Sequence, residues 1–184
     1  MGFGSVWRKW MDLLVFQSKM SVLVNGSPTM EFGVEKGLRQ GDPLSPFHFV
    51  LLAEGLTRLV RKSIDLGEYS SFLINGRCQV DILQFAEDTL LVGEGSWKHV
   101  LAIKSALKFF ELASGLGINY PKSKLIGINT SNNFVEVVDY VLSCKVEAST
   151  FTFLGIPIGA NPRKHSTWVP LVNKMKKRLL GWKN

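Results

Sequence analysis

Cysteine is scarce in this chain of 184 residues, which contains only Cys78 and Cys144. Neither stands at a spacing that would form a zinc site, and one pair cannot make the disulfide framework of a small secreted domain. We therefore interpret both cysteines as small buried hydrophobic residues of a protein in a reducing compartment.

Long apolar runs are also missing. No segment approaches the roughly 20 apolar residues that span a bilayer. The aromatic and basic start of the chain lacks the apolar core and cleavage site of a signal peptide. With 46% hydrophobic and 20% charged residues, the composition is that of a globular domain. The sequence thus predicts an intracellular protein without a membrane partner, and it leaves the choice between cytoplasm and nucleus open.

Acidic residues are absent from residues 161–184, which carry seven lysines and arginines. In residues 1–160 the charges cancel, so the whole net charge of +7 lies in the C-terminal segment. A localised basic segment suits a polyanion such as nucleic acid. The solvated face of a terminal helix would give the same composition, and charge alone leaves both interpretations open.

Apolar periodicity indicates the order of the secondary structure. Three- and four-residue steps predict helices over 5–16, 44–64, 97–113 and from about 168 onwards. Alternation and turn residues predict a hairpin over 20–33 and strands over 72–76, 78–85, 89–92, 124–129 and 151–158. This order is typical of an α+β fold, in which helices pack on one face of an antiparallel sheet.

The last predicted helix has two distinct faces. Pro170 is expected in its first turn. Its apolar face is expected to be buried and consists of Trp168, Leu171, Val172, Met175, Leu179 and Trp182. Its opposite face presents Lys174, Lys176, Lys177 and Arg178, which are candidate contacts to a nucleic acid backbone.

Two adjacent carboxylates lie in the short link between two apolar strands, at Ala86-Glu87-Asp88. A tight turn brings neighbouring side chains together, and carboxylate oxygens are the ligands that Mg²⁺ prefers. Enzymes that join nucleotides hold two such ions about 4 Å apart. A Glu-Asp pair in a hairpin is more often a plain polar turn, so this pair alone does not establish a site.

The second informative segment is the loop from Gly37 to Pro43, with Arg39, Gln40, Gly41 and Asp42 at its centre. Glycine allows the backbone to approach a base or sugar closely. Glutamine offers a donor and an acceptor to a base pair, and arginine can bind phosphate. The same residues also suit a loop that leads into a helix, with Asp42 as cap and Pro43 in the first turn.

Several segments together resemble the reverse transcriptases of plant LINE-type (non-LTR) retrotransposons. Four of them carry most of the resemblance: residues 37–46 (GLRQGDPLSP), 85–88 (FAED), 115–123 (GLGINYPKS) and 153–159 (FLGIPIG). The opening Met-Gly-Phe-Gly and the hairpin at Val24–Pro28 are similar to further elements of this family. The similar segments follow one another in the family's order along nearly the whole chain.

The resemblance implies an RNA-directed DNA polymerase that uses Mg²⁺, deoxynucleotides, an RNA template and a DNA primer. Residues 1–160 would form a partial palm with a fingers-proximal hairpin, and residues 161–184 would begin the thumb. Glu87 and Asp88 would bind metal, and Lys122 would lie near the leaving pyrophosphate, with Lys124 as a rival. Residues 39–42 would contact nucleotide and template. The primer grip would comprise Leu154, Gly155, Ile156 and Gly159.

Two departures from the family pattern bear on activity. The family's upstream palm aspartate has no counterpart, since Asp12, Glu31 and Glu35 stand in other contexts. Glu87 also replaces the first aspartate of the catalytic pair and displaces its carboxylate by one methylene. We expect a domain truncated at its N-terminus that is inactive alone. A non-catalytic nucleic-acid-binding remnant and a non-functional relic are the alternatives.

The truncation and the strand pattern give two structural expectations. Glu87 and Asp88 should lie at the tip of a β-hairpin, with Phe85 and Leu90 on or near its buried side. A missing palm strand should leave a sheet edge beside that hairpin unpaired.

Overall fold

The computed structural model describes residues 2–33, 37–147 and 149–181; Met1, Glu35 and Trp182 lie outside the described residues. Its five α-helices are α1 (Ser5–Met11), α2 (Ser45–Asp65), α3 (Trp97–Ser114), α4 (Asn132–Leu142) and α5 (His165–Leu180). A π-helical turn (Asp12–Phe16) follows α1, and a 3₁₀ turn (Tyr120–Lys122) follows α3.

Twelve short strands occupy the remaining ordered segments of the described residues. They are β1 (Lys19–Met20), β2 (Leu23–Val24), β3 (Ser27–Pro28), β4 (Phe32–Gly33), β5 (Phe72–Ile74), β6 (Cys78–Val80), β7 (Ile82–Phe85), β8 (Asp88–Leu91), β9 (Lys124–Ile126), β10 (Lys145–Glu147), β11 (Phe151–Phe153) and β12 (Ile156–Ile158).

The core lies between α2, α3 and the β7–β8 hairpin. Leu56, Val60 and Tyr69 are buried at its centre, and Ile82 and Leu91 of the hairpin pack against them. The apolar stripes predicted for the two long helices are buried or half-buried, as expected from their helical period. The stripe of α2 is Phe49, Leu52, Ala53, Leu56, Leu59, Val60 and Ile64, and that of α3 is Val100, Ile103, Leu107 and Phe110.

The predicted mixture of helices and antiparallel strands is confirmed, but the strands form separate ladders. The described residues contain six two-stranded ladders, of which five are antiparallel and one, β9–β10, is parallel. The predicted strand 78–85 is interrupted at Asp81, whose carboxylate accepts a hydrogen bond from its neighbour Ile82 N at 2.8 Å. An aspartate that binds nearby backbone in this way competes with a strand ladder.

Helix α4 was not predicted from the sequence. It connects the two strands of the parallel pair, as a helix commonly does because parallel strands cannot be joined by a tight turn. Ser131 caps it by accepting a hydrogen bond from Phe134 N, and the side chain of Val138, within the helix, is buried. Lys104 of α3 donates to the carbonyl of Val141 at 3.0 Å and so ties this unit to the core.

Helix α5 differs from its prediction in start and in burial. It begins at His165, which makes Pro170 its sixth residue and places this proline outside the first turn. Trp168 and Leu171 are half-buried, whereas Val172, Met175 and Leu179 are exposed. Their predicted burial is wrong because α5 contacts mainly strand β12, which is too short to cover the apolar face. Its four basic residues are exposed as expected.

One smaller expectation, the burial of both cysteines, also fails. Cys78 is exposed on strand β6, although Cys144 is half-buried and burial raises the pKa of its thiol. The helix predicted over 5–16 is present as α1 and the π-helical turn that follows it, and Val6 and Trp10 on α1 are about 60% exposed. None of the helices in the described part of the chain is both long and apolar enough to cross a membrane.

Candidate functional site

The candidate carboxylates lie at the tip of the β7–β8 hairpin, as predicted. Phe85 pairs with Asp88, so Ala86 and Glu87 form a two-residue turn. Both carboxylates are exposed. Ala86 adopts a φ of 48°, a left-handed conformation that costs a residue with a Cβ about 1 kcal/mol. The turn therefore stores strain directly beside the two acidic residues.

The two faces of the hairpin have different surroundings. Ile82 and Leu91, which pair with each other, face the core between α2 and α3. Since side chains alternate along a strand, Phe85 and Asp88 point to the opposite face. Phe85 is 61% exposed, so the expectation that it lies on the buried side is wrong, while Leu90 is half-buried. The face that carries Asp88 is thus open and partly apolar.

The edges of this hairpin are largely unpaired. Among residues 2–33, 37–147 and 149–181, β7 and β8 pair only with each other. A single antiparallel bridge, between Ser71 and Gly93, joins the segment after β8 to the segment before β5. The expectation of an open sheet edge beside the carboxylates is confirmed for this part of the chain.

Glu87 and Asp88 do not form a complete site for two Mg²⁺ ions. The described residues contain no group of three or more His, Cys, Asp or Glu side chains that could hold a metal. Asp12 lies in the π-helical turn, where it accepts a hydrogen bond from Gln17, and Glu31 pairs with Lys19 at 3.8 Å. Mg²⁺ keeps several of its waters and is usually bound through one or two carboxylates, so Glu87 and Asp88 could hold one ion weakly but not a pair of ions.

The loop with Arg39, Gln40, Gly41 and Asp42 leads directly into α2. Asp42 accepts a hydrogen bond from Leu44 N at 2.8 Å, and Ser45 Oγ donates to the Arg39 carbonyl at 2.5 Å. Gly41 has a φ of 84°, a backbone conformation that glycine adopts readily because it has no Cβ. Residues 39–43 line an open hollow of about 350 Å³. Pro43 precedes the helix, and Pro46 occupies the first turn in its place.

Lys122, at the end of the 3₁₀ turn, is exposed, whereas Lys124 forms an ion pair. Asn119 accepts a hydrogen bond from the backbone N–H of Lys122, which fixes the turn. Lys124 forms an ion pair with Glu147 at 2.5 Å across the parallel ladder. Among the residues that the structure describes, Lys122 has no ion-pair partner, so its ammonium group is the more accessible of the two.

The candidate primer-grip residues form the β11–β12 hairpin. Phe153 pairs with Ile156, so Leu154 and Gly155 form the turn, with φ values of 52° and 84°. Two positive φ values match the type I′ turn that right-handed strand twist favours. At Gly159 a Cβ would collide with the carbonyl of Ser149, so only glycine fits there. This hairpin lies beside α5, which contacts β12.

Two buried polar side chains behind the hairpin were not predicted from the sequence. Thr57 of α2 donates to Gln84 of β7 at 2.7 Å. Tyr69 donates to the carbonyl of Val92, just after β8, at 2.5 Å. Burial of Tyr69, with a smaller contribution from Asp81, raises the pKa of its phenol to about 12. The only sequence signal was the polar Thr57 within the apolar stripe of α2.

Comparisons with known proteins indicate the family of this chain. Residues 2–158 match the family model described as reverse transcriptase (RNA-dependent DNA polymerase). An uncharacterised mitochondrial protein of Arabidopsis thaliana is 33% identical over 106 residues, which cover 56% of this chain and 84% of that protein. The retrovirus-related Pol polyprotein from type-1 retrotransposable element R2 of Popillia japonica is 28% identical over 138 residues.

The match to the R2 polyprotein covers 71% of this chain but only 19% of the polyprotein. The match to the family model includes the loop at residues 39–42, the carboxylate hairpin and the hairpin around Leu154. Since the match to the family model spans most of the sequence, the chain belongs to the reverse transcriptase family.

Proposed function

We propose that this chain is a reverse transcriptase domain of a plant LINE-type (non-LTR) retroelement that does not polymerise DNA alone. The observation that carries the proposal is the exposed Glu87-Asp88 pair at the tip of a hairpin that packs against α2 and α3. No group of three or more potential metal ligands includes this pair among the described residues. A plant relative and a retrotransposon relative support the element type.

The proposed roles follow the geometry of the exposed segments. Residues 39–42 contact the nucleotide and the template base, because they line an open hollow at the start of α2. Lys122 lies near the leaving pyrophosphate, where an ammonium group stabilises negative charge. Leu154, Gly155, Ile156 and Gly159 hold the primer backbone. In this proposal residues 1–160 are a partial palm, and residues 161–184 begin a thumb.

Reverse transcriptases use Mg²⁺, yet no group of three or more potential metal ligands is found among the described residues. The geometry of two ions needs ligands from a second strand. Glu87 also places its carboxylate one methylene further out than aspartate, and an error of about 1 Å costs on the order of a hundredfold in rate. We infer that a complete site needs a further carboxylate in addition to those of Glu87 and Asp88.

Primer extension tests the absence of independent activity. The purified chain and Glu87→Asp are incubated with an RNA template, a DNA primer, deoxynucleotides, and Mg²⁺ or Mn²⁺. We expect no template-dependent extension by either protein, because the shorter side chain repairs one ligand and supplies no new one. Extension that disappears in Asp88→Asn would contradict the proposal and show that another carboxylate, such as Asp81, completes the site.

A second candidate function is non-catalytic binding of nucleic acid through α5. Lys174, Lys176, Lys177 and Arg178 are exposed on this helix, and no acidic residue follows position 160. Each phosphate contact releases counterions, so the affinity for single-stranded RNA should fall steeply as salt rises. Removal of Lys174 and Lys177 should reduce the slope of log Kd against log salt by roughly 2. Affinity that does not depend on salt, or none at low salt, excludes this function.

A further inference from the structure

Thr57 connects helix α2 to the strand that leads into the carboxylate turn. It is 9% exposed, and its hydroxyl donates to Gln84 Oε1 at 2.7 Å. Gln84 pairs with Thr89 in the ladder, which places this contact two pairs from the tip on strand β7. The hydroxyl also lies 3.3 Å from the Ala53 carbonyl within α2, but the shorter contact, to Gln84, is the one that joins the helix to the strand.

Tyr69 makes the corresponding connection at the far end of β8. Its side chain is 2% exposed, and its hydroxyl donates to the Val92 carbonyl at 2.5 Å. Its ring covers Gly93 so closely that a Cβ there would fall 2.5 Å from a ring carbon. His99 of α3 meets the ring edge-on, with centroids 5.5 Å apart, and its Nδ1 lies 3.2 Å from the Glu94 carbonyl.

We propose that Thr57 and Tyr69 are positioning residues, which fix the Glu87-Asp88 tip relative to the loop at residues 39–42. Helix α2 sets the distance between the Glu87-Asp88 tip and the loop at residues 39–42. Its first turn is bonded to the loop through Ser45 and Arg39, and Thr57 lies twelve residues later, or about 18 Å along the axis. Thr57 anchors β7 to the helix, and Tyr69, just beyond the helix, anchors the end of β8.

This inference rests on the proposed function, since the distance between the Glu87-Asp88 tip and the loop at residues 39–42 matters only if both act on the same substrate. A small misplacement of catalytic groups is costly in rate, and groups in such sites are held by packed and hydrogen-bonded neighbours. The open edges of β7 and β8 make these two bonds more important, because within the described residues no third strand restrains the tip.

Spin-label distances test the role of Thr57 directly. In a Cys78→Ser/Cys144→Ser background, labels at Glu87→Cys and Arg61→Cys report the position of the tip against α2. We expect Thr57→Val, which removes the hydroxyl and keeps the shape, to broaden the distance distribution. Thr57→Ser, which keeps the hydroxyl, should restore the narrow distribution. Val138→Ala serves as the control, because it creates a cavity under α4, away from the hairpin.

Amide hydrogen exchange provides the second measurement, on the chain with its native cysteines. Relative to the amides of α4, those of β7 and β8 should exchange roughly two to ten times faster in Thr57→Val and in Tyr69→Phe. An unchanged ratio in both variants, or the same distance broadening in Val138→Ala, overturns the proposal. Neither measurement uses polymerase or nucleic-acid-binding activity, so failure of the proposed function and failure of this inference give different results.

Discussion

The unit formed by α2, α3 and the β7–β8 hairpin differs from helix α5 in the burial of its apolar side chains, although both have amphipathic sequences. Within the described residues, all buried side chains except Val138 lie between Leu56 and Ala106. Helix α5 buries no residue completely. The difference shows that an apolar stripe specifies a face to be buried, whereas burial itself depends on a neighbour large enough to cover it.

The largest expected contrast is in stability. Leu56→Ala should lower the free energy of unfolding by about 2–5 kcal/mol, because it leaves a cavity in the core. Leu179→Ala should change it by less than about 0.5 kcal/mol, because Leu179 is 62% exposed. Urea denaturation followed by circular dichroism measures both values. Equal effects would show that α5 is packed as firmly as the core.

Gly93→Ala should destabilise the core by about 1–3 kcal/mol, because the new Cβ collides with the Tyr69 ring. Gly117→Ala is the matched control, since a Cβ at that position meets no atom within 4 Å. Thermal unfolding of both variants gives the comparison. A similar change in both would mean that the Tyr69 ring moves aside without cost and is not a fixed element of the core.

Outside the core, the turn at Leu154 is expected to store removable strain. Leu154→Asn should raise the free energy of unfolding by about 1 kcal/mol, because asparagine tolerates a positive φ better than leucine does. Asn25→Leu, at a turn with a φ of 51°, should lower it by a similar amount. Chemical denaturation of the two variants tests whether exposed turns carry measurable strain.

The smallest effect is confined to alkaline solution. The folded state raises the pKa of Tyr69 to about 12, so above pH 10 the unfolded state releases its proton first. Stability from this group is complete below pH 10 and declines as the pH rises towards 12. Tyr69→Phe should show a shallower decline in unfolding free energy between pH 9 and pH 12. Identical slopes would indicate that the phenol is not buried in solution.

The sequence predicted the elements whose pattern is local. The α2 stripe follows the helical period, and the hairpin around Glu87 follows from apolar strands with a short polar link. Helix α4 was missed because its four valines, Val135, Val137, Val138 and Val141, also favour strands. The exposure of Phe85 and Met175 could not be predicted, since it depends on which elements lie opposite them. The contacts of Thr57 and Tyr69 join residues 27 and 23 positions apart.

The separate ladders of this fold have a consequence for how the chain folds during synthesis. Of the six ladders among the described residues, five close within fifteen residues, and the parallel β9–β10 pair spans a longer loop. Hairpins of this length form in microseconds, whereas a ribosome adds about 5–20 residues per second. Each hairpin can therefore close before the next has been translated, whereas the core around Tyr69 can be completed only after α3 has been translated.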